Sequence, residues 1–222
     1  MRPAADFLRS TLVALALAPV SCQVPASGPA AWIDLLPAGE TGLGGWTAVP
    51  FGGEGEVRRE GQALLLGQGL TLTGVRWGAP TLPDGRPLPR DDYEIEVVAV
   101  RRLGTDFFCG LTFPVGDRAL SLILGGWGGA TCGLSCLDGA DASSNETTCY
   151  RRFTTGKPYR LLLRVADGRV EAELDGRPLL AAGVADRRLD LRPEIAPGGP
   201  LGVASYQTEA AILGIRLRRL GK

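Results

Sequence analysis

Along much of this chain apolar residues recur at every second position. In Tyr159–Val165, Leu161, Leu163 and Val165 share one face, while Arg160 and Arg164 take the other. Val170, Ala172 and Leu174 then alternate with Arg169, Glu171, Glu173 and Asp175. A period of two marks a half-buried strand, so the two runs predict a hairpin. Asp167-Gly168 lies between them, a dipeptide whose turn twist suits paired strands. Asp175-Gly176 predicts the next turn in the same way. Near the end, Leu213, Ile215 and Leu217 oppose Arg216 and Arg218. Further strands are expected over Gln62–Leu66, Leu70–Trp77, Tyr93–Arg102, Phe107–Phe113 and Ala119–Leu124. Nothing beyond the N-terminal segment carries a convincing helical period. Short strands punctuated by Gly, Pro and Asp indicate an all-β fold, an antiparallel β-sandwich. No composition break or internal repeat follows Trp32, so residues 31–222 are expected to form one domain.

The N-terminus follows another logic. Arg2 and Arg9 flank a short start, and Thr11–Ala18 is apolar. That run falls well short of the roughly 18 apolar residues needed to span a bilayer. It fits the apolar region of a secretory signal over residues 1–22. Ala18-Pro19-Val20-Ser21-Cys22 is similar to a bacterial lipoprotein cleavage box, with Pro19 where such boxes usually carry Leu. Lipidation of Cys22 and ordinary cleavage nearby therefore both stay open. Residues 23–30 (QVPASGPA) read as a tether. The expected location is the periplasm or cell surface, with membrane contact only through a lipid anchor.

Charge and residue usage remove several chemistries. Lys+Arg and Asp+Glu number 24 each, so the formal net charge is zero. That gives no electrostatic case for a nucleic-acid partner. The chain has no histidine, which excludes Ser-His-Asp and Cys-His sites and His-ligated zinc. Catalysis would have to rest on carboxylates, Lys, Arg, Tyr, Cys or a bound metal. Beyond Cys22 the cysteines are Cys109, Cys132, Cys136 and Cys149. An even count in an oxidising compartment favours disulfides, and four cysteines allow three complete pairings.

Several segments resemble a known family. Trp32-Ile33-Asp34-Leu35-Leu36 followed by Gly45-Trp46 is similar to the opening of the 3-keto-disaccharide hydrolase domain. The hairpin Tyr159–Asp175 with its Asp-Gly turn, Pro200–Ala204 and the closing Ile212–Leu217 look like that domain's recurrent strands. The resemblance implies a concanavalin A-like jelly roll, exported, of the kind abundant in planctomycete-type bacteria, acting on glycosides. It departs where family members carry a polar motif and then a strand Glu. Here the stretches are Phe107-Phe108-Cys109-Gly110-Leu111 and Ala119–Leu124, and the second holds no carboxylate. The alternative is a non-catalytic carbohydrate-binding or cell-surface interaction module.

Candidate site residues follow. Asp106, Asp138 and Glu146 are the candidate catalytic carboxylates. Arg101 shares a strand face with Tyr93, Ile95, Val97 and Ala99, and either contacts a sugar or pairs with Asp106. Trp127 sits in Gly125-Gly126-Trp127-Gly128-Gly129, where an indole plate suits the apolar face of a sugar ring. The bland alternative is core packing over a bulge. Asp138, Asp141 and Asn145 crowd oxygen atoms suited to Ca²⁺, although any exposed turn uses the same residues. Finally, Gly133–Leu137 and Thr147–Phe153 form a hairpin if the register centres between Ala142 and Ser143. That register sets Cys136 opposite Cys149 as a disulfide, with Cys132 as competitor.

Overall fold

The computed structural model describes residues 30–221. The expected signal, Cys22 and all but the last residue of the tether lie outside them. In chain order the strands are β1 (Ile33–Asp34), β2 (Trp46–Ala48), β3 (Val57–Glu60), β4 (Ala63–Leu66), β5 (Leu72–Trp77), β6 (Tyr93–Leu103), β7 (Cys109–Val115) and β8 (Arg118–Gly126). They continue as β9 (Thr131–Ser135), β10 (Cys149–Tyr150), β11 (Pro158–Ala166), β12 (Arg169–Leu174), β13 (Arg177–Gly183), β14 (Gly202–Tyr206) and β15 (Glu209–Arg219). The only helical turn among the described residues is 3₁₀, at Ala196–Gly198. None of their helices is long and apolar enough to cross a membrane.

The strands form two antiparallel sheets. The first runs β13-β12-β11-β6-β15-β4-β3, with β1 also pairing β15, and the second runs β10-β9-β8-β7-β14-β5-β2. This is the expected jelly-roll sandwich. The predicted hairpin is β11–β12, with Leu163 opposite Ala172 and Val165 opposite Val170. Asp167 and Gly168 have φ of 52° and 65°, and Asp175 and Gly176 have 52° and 72°. These left-handed pairs are the geometry that Asp-Gly supplies at two-residue turns. Leu161, Leu163, Val165, Val170 and Ala172 are buried, Leu174 is half-buried, and Arg160, Arg164, Glu171 and Glu173 are exposed.

One apolar core lies between the sheets. Ile95, Val97, Leu163 and Ile215 from the first meet Leu111, Leu122, Leu134 and Val203 from the second. The Tyr93 hydroxyl donates to the Pro114 carbonyl and so bonds β6 to β7.

The outward faces differ. On the first sheet a charge ladder crosses β6 and β15, pairing Glu94 with Arg218 and Glu96 with Arg216. Trp32 lies under both guanidiniums, 4.6 Å from each. On the second sheet the outward face is also buried, because the chain around Ile195 returns over it. Ile195 packs with Leu72 and Ala204, joined by Phe51, Phe107, Leu191 and Tyr206. This small outer core leaves part of the face uncovered, and the site lies there.

Candidate functional site

At the end of β8 the strand bulges, its register shifting between Leu124 and Gly126. The chain turns through Trp127, whose φ is 48°. A large side chain in left-handed backbone is uncommon, and here it projects Trp127 outward, 46% exposed. The flanking glycines are sterically required. A Cβ on Gly125 would lie 2.5 Å from the Arg101 guanidinium, and one on Gly129 would lie 2.6 Å from the Thr105 carbonyl; their φ values are +77° and +107°.

Arg101 explains why this turn holds its shape. It is buried, and its Nη2 donates to the carbonyls of Gly125 at 3.3 Å and Gly129 at 3.2 Å. Its guanidinium also stacks on Phe108 and Phe153, 5.2 and 5.9 Å from the ring centroids. Burial lowers its pKa from the ordinary value, and the Asp106 charge opposes that shift. The expected sugar contact from Arg101 is therefore corrected. The long strand carries the side chain beneath the glycine turn, where it braces the segment that carries Trp127.

A groove of about 270 Å³ opens beside that turn, lined by Trp127, Asp106, Phe107 and Tyr206 on one part and by Ser135, Arg192 and Glu194 on another, with Ile123, Leu72 and Ile195 also contributing. Phe107 and Tyr206 stack with centroids 6.0 Å apart. Asp106 accepts the Phe107 N–H at 2.8 Å through Oδ1 and the Gly128 N–H at 3.1 Å through Oδ2. Arg192 bridges two carboxylates, Glu194 at 2.5 Å and Asp141 at 3.0 Å. The arrangement offers apolar plates beside a few fixed charges and hydroxyls, which is how sites for small polar ligands are commonly built.

The three expected catalytic carboxylates do not come together. Asp106 lines the groove, but Asp138 and Glu146 lie outside its lining and share Arg187. The Arg187 hydrogen bond, followed by the Arg188 N–H, holds Asp138 below its usual range. The same guanidinium does so for Glu146. Paired in this way they anchor a loop and are not placed to trade protons with a ligand in the groove.

The side-chain oxygens of Asp138, Asp141 and Asn145, the expected calcium ligands, are already engaged by protein donors. Asp141 Oδ1 accepts the Ser143 N–H, the Ser143 hydroxyl and the Ser144 hydroxyl, while Oδ2 takes Arg192. Burial works to raise Asp141, yet the Ser143 and Ser144 bonds and the Arg192 charge outweigh it and leave it lowered. Asn145 Nδ2 donates to the carbonyls of Leu134, Ala140 and Asp141, and its Oδ1 accepts from Thr147. Arginines stand where a cation would, and no group of three or more acidic or thiol side chains gathers in a metal-ligating arrangement among the described residues.

The expected cysteine register is also corrected. Cys149 lies opposite Cys132, and Tyr150 lies opposite Thr131. The four described cysteines are thiols in this structure. A symmetric hairpin fails because Asn145 and Thr147 take the strand's bonding groups with their side chains. Thr147 Oγ1 accepts the Leu134 N–H at 2.9 Å, and Asn145 takes the Leu134 carbonyl at 2.8 Å. Cys136 instead exchanges backbone bonds with Asp190.

Arg192, Glu194, Ser135 and Tyr206 escape sequence reasoning. Arg192 and Glu194 stand in Asp190–Gly199, a Pro- and Gly-containing loop with no periodicity, and only the return of that loop over the second sheet makes them part of the groove.

In sequence the chain matches no protein-family model. It also matches no curated protein. In structure it is similar to the exoplasmic/lumenal domain of VIP36 in its Ca²⁺/Man3GlcNAc-bound form, with TM-score 0.54, 14% identity, and coverage of 84% of this chain and 88% of that one. It is also similar to a protein from a study of endo-acting O-glycanases of the human gut microbiota, with TM-score 0.51, 11% identity, and coverage of 79% and 92%. A sialidase matches with TM-score 0.50 and 14% identity over 90% of this chain but 19% of its own. These likenesses establish a jelly-roll β-sandwich fold.

Proposed function

We propose that this protein is an exported carbohydrate-binding module that takes a sugar in the groove beside Trp127. The observation that carries the reading is the Trp127 turn. A strained backbone, two obligatory glycines and a buried arginine together hold one large indole out of the core. An exposed indole offers an apolar plate with a polar edge, the chemistry of a sugar ring's C–H face. Asp106, Ser135, Arg192 and Glu194 supply acceptors and donors for hydroxyls around it. The fold shared with VIP36, bound in that structure to Man3GlcNAc, supports the same reading.

A second reading rests on a different observation. Asp106 and Glu194 both line the groove, and two carboxylates flanking a glycosidic bond are the usual requirement for its hydrolysis. Glycoside cleavage of the 3-keto-disaccharide hydrolase type would use that pair.

The test is a panel of glycans and 3-keto-glycosides, scored for both binding and turnover. Binding without turnover is expected. Trp127→Ala should weaken it at least about tenfold, as loss of a central aromatic anchor does, with an unchanged melting temperature. Turnover abolished by Asp106→Asn and by Glu194→Gln would establish the second reading instead. No binding across the panel would defeat both.

A further inference from the structure

At the edge of the second sheet, β9 and β10 set two thiols against each other. Cys149 and Cys132 are direct antiparallel partners, and the pairing is held beyond them by the Arg151 N–H donating to the Ala130 carbonyl at 2.8 Å. Opposed residues on antiparallel strands have Cα atoms about 4.5–5.5 Å apart, inside the span of about 4.4–6.8 Å that a disulfide bridges. Cys132 is fully buried, and Cys149 is half-buried with its sulfur 3.7 Å from the Leu179 carbonyl of β13. The other two cysteines are placed differently. Cys109 lies in the core opposite Leu124, with burial pushing its thiol up to about 12. Cys136 bonds with Asp190 through its backbone.

We propose that Cys132 and Cys149 form a disulfide that fastens the loop over residues 136–148 to the second sheet. β10 is only two residues long, so the C-terminal end of this loop has little strand pairing of its own, whereas its start is tied to the chain around Asp190. The loop carries Asp141, whose bond to Arg192 helps shape the groove, so the cross-link fixes one wall of the site.

The two thiols differ in a way that suits the reaction. The hydrogen bond from Cys132 lowers the Cys149 thiol below its usual range, burial opposes the shift, and Arg151 assists it. That bond and burial keep Cys132 protonated. With an external disulfide such as oxidised glutathione as oxidant, the Cys149 thiolate attacks one sulfur and displaces the first glutathione thiolate. Cys132 then gives up its proton and attacks the Cys149 sulfur of the mixed disulfide. The second glutathione leaves, so two protein thiols are oxidised and one external disulfide becomes two thiols.

Peptide mapping of the oxidised full chain without reduction tests this. Trypsin alone leaves Cys132, Cys136 and Cys149 on one peptide, 119–151, so cleavage before Asp138 and Asp141 is added. The expected product is peptide 119–137 linked to 141–151, with fragment ions placing the bond on Cys132. The link should persist in Cys136→Ser and vanish in Cys149→Ser, and reduction of the native protein should lower its melting temperature by several degrees. A bond assigned to Cys136, or a Cys149 that still alkylates after treatment with oxidised glutathione, overturns the proposal.

Discussion

Trp127 and Arg101 stand on opposite sides of the same turn, and their exposure separates what each does. Nearly half of Trp127 is in solvent and it stands outside the core clusters, so its loss should reach ligand binding without reaching the core. Arg101 is a buried charge whose bonds go to the Gly125 and Gly129 carbonyls. The Gly125 carbonyl is buried and the Gly129 carbonyl partly so, and leaving a buried acceptor unsatisfied costs roughly 1–3 kcal/mol. Arg101→Met, which keeps most of the stem, is therefore expected to lose stability in that range by urea denaturation. It should also weaken ligand binding, because the turn that presents Trp127 loses its brace. An Arg101→Met protein with wild-type stability would show that the glycine turn holds itself. Asp106 carries a related expectation. Asp106→Asn keeps an acceptor for only one of the Phe107 and Gly128 amides, so a shift in loop structure should accompany any change in binding. Proton exchange at the Gly128 amide reports that shift directly.

Between residue and fold, most of the longer strands were legible, β7 and β8 included, and those with one wet face showed their facing most plainly. β11, β12 and β15 alternate because one side meets solvent or a charge ladder, and Asp-Gly marks their turns. β7 and β8 are buried on both sides, so Leu111 and Ile123 are both core by accessibility although they face opposite ways. The covering segment around Ile195 has no periodicity of its own, and the part of the groove lined by Arg192, Glu194 and Ile195 was hidden with it. The short β1, β2 and β3 left too few residues for any pattern. The loop over 136–148 was unreadable for another reason: Asn145 and Thr147 replace strand bonding with side-chain bonding, which a count of alternating residues does not see. Its outer anchor makes a pH prediction. Asp138 and Glu146 are both lowered in the folded state by Arg187. A lowered carboxylate contributes stability that is complete above its unfolded value and is lost as pH falls through the folded one. The ordinary values are 3.8 and 4.5. Protection of the amides over 138–148 should thus hold at neutral pH and decline once the pH drops below those values. In Arg187→Gln the protection should already be reduced at neutral pH. Equal exchange in the variant and the parent would mean that this ion pair anchors nothing.

At the scale of the whole molecule, the two sheets share the main apolar core, and each adds only a small cluster on its outer face. Leu163 projects from the first sheet and Leu122 from the second into the same cluster, and Tyr93 bonds across it. The small outer core around Ile195 packs on the back of the second sheet, so it too depends on that sheet's being in place. A groove built partly from β8 and partly from the returning loop can then be no more stable than the sandwich. Leu163→Ala and Leu122→Ala should each cost about 2–5 kcal/mol, the usual range for a large-to-small change at a buried site. For a chain of this length that corresponds to a melting temperature lower by roughly 4–20 °C. In both variants the loss should appear as one transition. Tryptophan fluorescence, which includes buried Trp46 on β2 and exposed Trp127 beside the groove, should report the same midpoint as far-ultraviolet circular dichroism. Two separated transitions in Leu163→Ala, with the fluorescence midpoint left at the wild-type value, would mean that the second sheet and its groove stand without the first.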